Sequence, residues 1–203
     1  MRSDLTRIQQ IRRDDILAAA VEAFGTERSE DVSIAGIAVR AGTSKGTVLY
    51  HFGSRAALQE AVVVDLFERG WNFMADRMRG IDEPAELLYA YLDSNLRFIV
   101  ERPTHVIAVH RILEGVTLPD QAPDAIEQLA EILRDGQQRH RFGAFDPVVV
   151  AKLIRAIIDA ASYHLTEAAD LDIDHHLDEA IAFVERAVGS RRRHNSPQSK
   201  DPS

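Results

Sequence analysis

The chain has 203 residues, 45% of them apolar, no cysteine and a formal net charge of −8. That is enough apolar material for one sizeable core, or for two small units sharing one, and it excludes a wholly disordered chain. The missing cysteines exclude a disulfide framework and thiolate metal sites, and no stretch approaches the ~20 apolar residues that cross a bilayer, so the expectation is a soluble, unprocessed, cytoplasmic protein.

Periodicity is helical nearly everywhere, and the β-branched runs are short and embedded in Ala and Leu, so the chain is expected to be all-α with about nine helices. A first helix is predicted from Leu5 to Phe24, burying Ile16, Ala20, Ala23 and Phe24 at the i, i+4, i+7, i+8 spacing of one face, with Gly25 ending it. Ser33 is placed to cap a short helix from Ile34 to Ala41, which Gly42 terminates. Ser44 caps a second short helix reaching Phe52, and Ser54 a long one through Leu58, Val62, Leu66 and Met74 to about Arg79. Pro84, Pro103, Pro123 and Pro147 each precede an apolar-periodic stretch, at the position where a missing amide hydrogen costs nothing. The last two helices are predicted over 147–169 and 175–188, ending at Gly189. The segment 190–203, with Arg191, Arg192 and Arg193, has almost nothing apolar to bury and is expected to be a disordered tail.

The stretch IAGIAVRAGTSKGTVLYHF, residues 34–52, reads as two short helices joined by a tight Ala41-Gly42-Thr43 turn, which is helix-turn-helix grammar. Ile34, Ile37, Ala38 and Ala41 are expected to pack against Val48, Leu49 and Phe52. That leaves Lys45, Gly46, Thr47, Tyr50 and His51 outward, on a polar face nearly free of acid, as a helix laid beside phosphates requires. The charge distribution agrees. Residues 1–55 carry eight Lys and Arg against seven Asp and Glu, the remainder sixteen against twenty-five, and because phosphate contact is screened over about 10 Å, the first quarter can meet DNA while the acidic body repels it.

The order of these pieces resembles the DNA-binding domain of the tetracycline-repressor-like (TetR) family: an apolar helix at Ile16 to Phe24, Ser33-Ile34, Ile37-Ala38, Ala41-Gly42-Thr43-Ser44, Gly46 to Phe52, then Ser54-Arg55 with Leu58. The match covers about the first 65 residues. The resemblance implies a DNA-binding domain over 1–55 and a helical effector-binding and dimerisation domain over 56–189. It implies that Ser33 offers a hydroxyl to a phosphate, and that Lys45 and Thr47, with Gly46 between them, face base edges. Ser44, Tyr50 and His51 would contact backbone or flanking bases, and Arg55 would hold a phosphate. The chain departs from the family pattern in three places: at Gly36, at Thr43 and over Arg55-Ala56-Ala57.

One such motif per chain needs a partner to read a two-fold operator. Ile154, Ile157, Ile158, Ala161 and Leu165 form one apolar stripe, and Leu177, Ile181, Val184 and Val188 another; these are the expected homodimer interface, a four-helix arrangement that the resemblance also implies, with internal core the alternative for one of the two stripes. Between the long fourth helix and these stripes lie Trp71, Tyr91, Asn95, Phe98, His105, His110, Arg111 and Tyr163, the expected lining of a pocket for an apolar or amphipathic small-molecule effector. The function expected is therefore a ligand-responsive repressor binding a palindromic operator as a homodimer; an activator or architectural regulator without effector is the alternative. No cofactor is expected. His164 with Glu167 and His110 with Glu114 stand at the spacing of acid-base pairs on a helix, but no nucleophile, phosphate loop or ligand triad accompanies them, so no enzyme is expected. Asp170, Asp172, Asp174, His175, His176 and Asp178 mimic a calcium loop, but His175 stands where a Gly is needed and Ile181 where a bidentate Glu belongs, and they read as a solvated loop with capping acids.

Overall fold

The computed structural model describes residues 6–114, 123–167 and 172–189, and among them there is no strand. The described helices are α1 (Arg7–Thr26), α2 (Ile34–Arg40), α3 (Lys45–Phe52), α4 (Arg55–Met78), α5 (Pro84–Glu101), α6 (Pro103–Leu113), α7 (Pro123–Gln138), α8 (Pro147–Glu167) and α9 (Ile173–Val188). Leu5, Asp170 and the segment 190–203 with its three arginines lie outside the described residues.

The starts and stops follow from side-chain chemistry. Ser33, Ser44 and Ser54 each accept a hydrogen bond from the amide three residues on, those of Gly36, Thr47 and Ala57, which satisfies one of the donors a helix start leaves over. Pro84, Pro103, Pro123 and Pro147 are each the first residue of a helix. Asp172 caps α9 by accepting from the His175 amide at 3.1 Å, so this acid serves the capping role expected of the loop.

Gly25 does not end α1, which runs on to Thr26. The glycine is buried where α6 crosses: a Cβ built on it would stand 2.5 Å from Thr104 Cγ2 and 2.6 Å from the Thr104 carbonyl oxygen. It is there for close approach rather than for a turn.

The core is continuous from the amino-terminal unit into the body. Ile16, Phe24, Ile37, Val48, Leu58 and Val62 are fully enclosed, as are Leu88, Leu92, Leu96, Leu129 and Leu133 further along. α5 is the central helix, packed against α4, α7, α8 and α9, while α1 and α4 both meet α6. The two stripes expected at a dimer interface are part of this core. Ile154, Ile158, Ala161 and Leu165 of α8 and Leu177, Ile181, Val184 and Val188 of α9 are buried within the protomer, and Ile157 is packed partly against it. The correction has a simple cause: both helices must first cover α5, and their most apolar faces do so.

Candidate nucleic-acid interface

The turn between α2 and α3 is closed by a Schellman pattern. The Thr43 amide donates to Ala38 O at 2.9 Å and the Gly42 amide to Val39 O at 3.1 Å, with Gly42 at φ +59° supplying the left-handed residue the pattern needs. This sets the angle at which α3 leaves, and Val48 and Phe52 on its inner face are then buried against α1, α2 and α4. Leu49, expected to pack with them, instead sits at the edge, 37% exposed.

Most, but not all, of the face expected to be outward is exposed. Ser44, Lys45 and Gly46 are exposed, Thr47 is half-buried, and Tyr50 is 70% exposed. Ser44 Oγ stands 2.9 Å from Thr47 Oγ1, so the first turn of α3 offers two adjoining hydroxyls. His51 is half-buried, edge-on to Tyr50 with ring centroids 5.2 Å apart. Burial, then the charges of Arg13 and Arg12, push its imidazole below the ordinary histidine value, which holds it neutral at neutral pH.

Arg55 is occupied elsewhere. Its Nε donates to Val32 O at 3.1 Å, one terminal nitrogen donates to Ser29 O, and the other reaches Gln59 Oε1 at 3.4 Å. It is a clamp on the connection between α1 and α2, not a free phosphate ligand. Arg111, expected in the effector pocket, belongs to the same clamp, donating to Phe24 O at 3.2 Å and Glu27 O at 3.0 Å, and Arg40 pairs with Glu27. Carbonyls left over at the end of α1 need donors, and arginine's fork can serve more than one.

The remaining effector candidates separate into surface and core. Trp71 and Tyr163 are half exposed. Phe98 is buried, 5.4 Å from the Phe73 ring, and covers Gly70. His110 stacks on Tyr163 at 3.8 Å; since Ser162 gives its hydrogen to Asp159 O, His110 Nε2 donates to Ser162 Oγ at 2.9 Å. Tyr91 and Asn95 meet Arg155, which the sequence reading missed: its Nη1 donates to Tyr91 Oη at 3.4 Å and Asn95 Oδ1 at 3.3 Å. Only Asp159 one turn on could have flagged it, as an i, i+4 pair. A separate open cleft of about 390 Å³ lies between α1, α4 and the α5–α6 junction, lined among others by Leu17, Val21, Asp65, Arg69, Arg102 and His105. Of the expected effector residues only His105 lines it.

Residues 16–62 match the family model described as bacterial regulatory proteins, tetR family. The match takes in the helix-turn-helix and parts of the helices that flank it. The curated relatives include the HTH-type transcriptional regulator BetI 1 of Chromohalobacter salexigens, 33% identical over 89 residues, or 43% of this chain and 44% of that one; the match thus spans less than half of the relative's length. Among solved structures, a TetR-like transcriptional regulator from Rhodococcus sp. RHA1 superposes with a TM-score of 0.73 at 20% identity, covering 92% of this chain and all of that one. AibR, solved in complex with isovaleryl coenzyme A and operator DNA, gives 0.73 at 17% identity, covering 89% of this chain and 100% of its own. At these identities the structures share the fold with this chain. No helix among the described residues is long and apolar enough to cross a membrane.

Proposed function

We propose that this chain is a TetR-family, DNA-binding transcriptional repressor that reads a two-fold operator as a homodimer and releases it when a small molecule binds the body. The observation that carries the reading is the split face of α3: Val48 and Phe52 are sealed inside while Lys45, Gly46 and Tyr50 stand outward beside the Ser44 and Thr47 hydroxyls. A short polar helix with one lysine and no acid suits the major groove. Ser33, Ser44 and His51 flank it as backbone contacts. The proposed DNA-binding unit ends at residue 55, where α4 begins, and residues 56–189 form the effector and dimer unit.

The faces that α8 and α9 turn away from α5 support pairing. Val149, Leu153, Ala156, Ala160 and Tyr163 recur at i, i+4, i+7, i+11, i+14 and are all exposed; Ile173 and Phe183 stand out on α9, with Ala180 between them. These replace the buried stripes as the proposed dimer surface. For the effector, the polar groups meeting on apolar faces between α5, α6 and α8 (Tyr91, Asn95 and Arg155, then His110, Ser162 and Tyr163) suit an amphipathic molecule. A regulator rather than an enzyme is favoured because the His110 ring is already committed to Ser162 and Tyr163.

Selection of bound duplexes from a random library, followed by footprinting, tests the reading: it should return a two-fold site protected by two chains. Lys45→Ala should weaken that binding by roughly 1–3 kcal/mol. A protein that selects no sequence overturns it. Thermal-shift screening then identifies effectors as molecules that stabilise the protein and release the selected duplex.

A further inference from the structure

The first turn of α1 reaches α3 through polar groups outside the helix-turn-helix itself. Thr6 caps α1: its Oγ1 accepts from the Gln9 amide at 3.3 Å, and its own amide donates to Gln9 Oε1 at 2.9 Å, a reciprocal capping box. The second of these bonds decides how the Gln9 carboxamide is turned. With Oε1 held by Thr6, Nε2 faces α3 and donates to the Tyr50 hydroxyl oxygen at 3.3 Å. One turn later, Arg13 Nη1 donates to the His51 carbonyl at 3.0 Å, and its guanidinium lies 4.2 Å from the centre of the Phe52 ring. Three consecutive residues of α3 are fastened to α1 from two positions four residues apart.

The direction of the Gln9 bond has a chemical consequence. A phenol gives one hydrogen and can accept others. Because Gln9 donates into the Tyr50 oxygen, the phenolic hydrogen is left to be given outward, and a DNA phosphate oxygen is an acceptor. We propose that Gln9 is a positioning residue for DNA binding: it holds the exposed Tyr50 phenol in place as an outward donor, while Arg13 fixes the turn of α3 behind it. This rests on α3 being the reading helix, as proposed above.

A double-mutant cycle on the duplex selected by the wild-type protein tests it, with helix content and melting followed for each variant. Tyr50→Phe and Gln9→Leu should each weaken binding by about five-fold, the size of one hydrogen bond. In the Tyr50→Phe background, Gln9→Leu should add less than roughly two-fold, since the two act through one bond. Gln9→Glu keeps the cap, but its carboxylate takes the phenolic hydrogen, so it should weaken binding at least as much as Gln9→Leu. If Tyr50→Phe binds like wild type, both the contact assigned to Tyr50 and this inference fall. If Tyr50→Phe weakens binding but Gln9→Leu does not, or Gln9→Leu costs the same in both backgrounds, or Gln9→Glu binds like wild type, the positioning role alone is overturned and α3 stands as the reading helix.

Discussion

Two glycines inside helices allow a matched comparison of chain propensity with packing. Gly25 sits in α1 and Gly36 in α2, and in each case alanine should favour the helix, by up to ~1 kcal/mol. At Gly36 a Cβ would meet nothing nearer than Ser33 Oγ at 3.4 Å, an ordinary contact. At Gly25 it would meet Thr104 Cγ2 at 2.5 Å and the Thr104 carbonyl oxygen at 2.6 Å. The methyl can rotate away; the carbonyl moves only if α6 does. Forcing an extra carbon into such a contact costs typically ~1–3 kcal/mol, which cancels or exceeds the helical gain. Gly36→Ala should therefore stabilise the protein and Gly25→Ala should not, the two differing by roughly 1–3 kcal/mol. Urea unfolding followed by circular dichroism, with equal slopes for both variants, measures that difference. Equal shifts for the two variants would refute the argument that α1 and α6 meet at van der Waals limits.

Other consequences can be measured in the same preparations. Arg55→Ala should lower stability by about 1–2 kcal/mol through the loss of its half-buried bonds to carbonyls, while leaving the salt dependence of DNA binding unchanged; a flattened salt slope would instead return Arg55 to the phosphates. Burial pushes the His105 imidazole, whose Nε2 donates to Val62 O at 2.9 Å, below its ordinary value despite that bond and nearby Asp65. The folded state thus favours neutral His105, a contribution present above about pH 6.5 and lost as pH falls below it. Melting curves should show His105→Gln less sensitive to acid than wild type. Leu153→Asp and Phe183→Asp, at positions 58% and 56% exposed in the protomer, should keep full helix content and sediment as single chains, whereas Ile181→Asp should unfold the body.

The helix limits were legible because they depend on local chemistry: serine caps, prolines at first positions and Gly42 act within four residues of themselves. The face of α3 was legible for the same reason, since a helix eight residues long has few ways to hide Val48 and Phe52 together. What periodicity could not say is which neighbour an apolar stripe meets. The Ile154 and Ile181 stripes have the pattern of an interface between chains and instead cover α5, while the exposed stripe through Leu153, interrupted by alanines, and the single exposed Phe183 give a weaker periodic signal. Arg55 and Arg111 misled for another reason: a long side chain reaches carbonyls 26 and 87 residues away in sequence, and nothing local marks them. Gly25 could equally have been a helix end or a contact point, and only the position of Thr104 separates the two.

α4 is uninterrupted from Arg55 to Met78, with its first residues against α3 and its flanks against α5 and α6. At 1.5 Å per residue such a rod is about 36 Å long. Pivoting it by about five degrees at the far end would swing Ser54 through about 3 Å, close to the rise of one nucleotide step in B-form DNA, about 3.4 Å. Small rearrangements among side chains deep in the body are therefore geometrically sufficient to put α3 out of register with a groove.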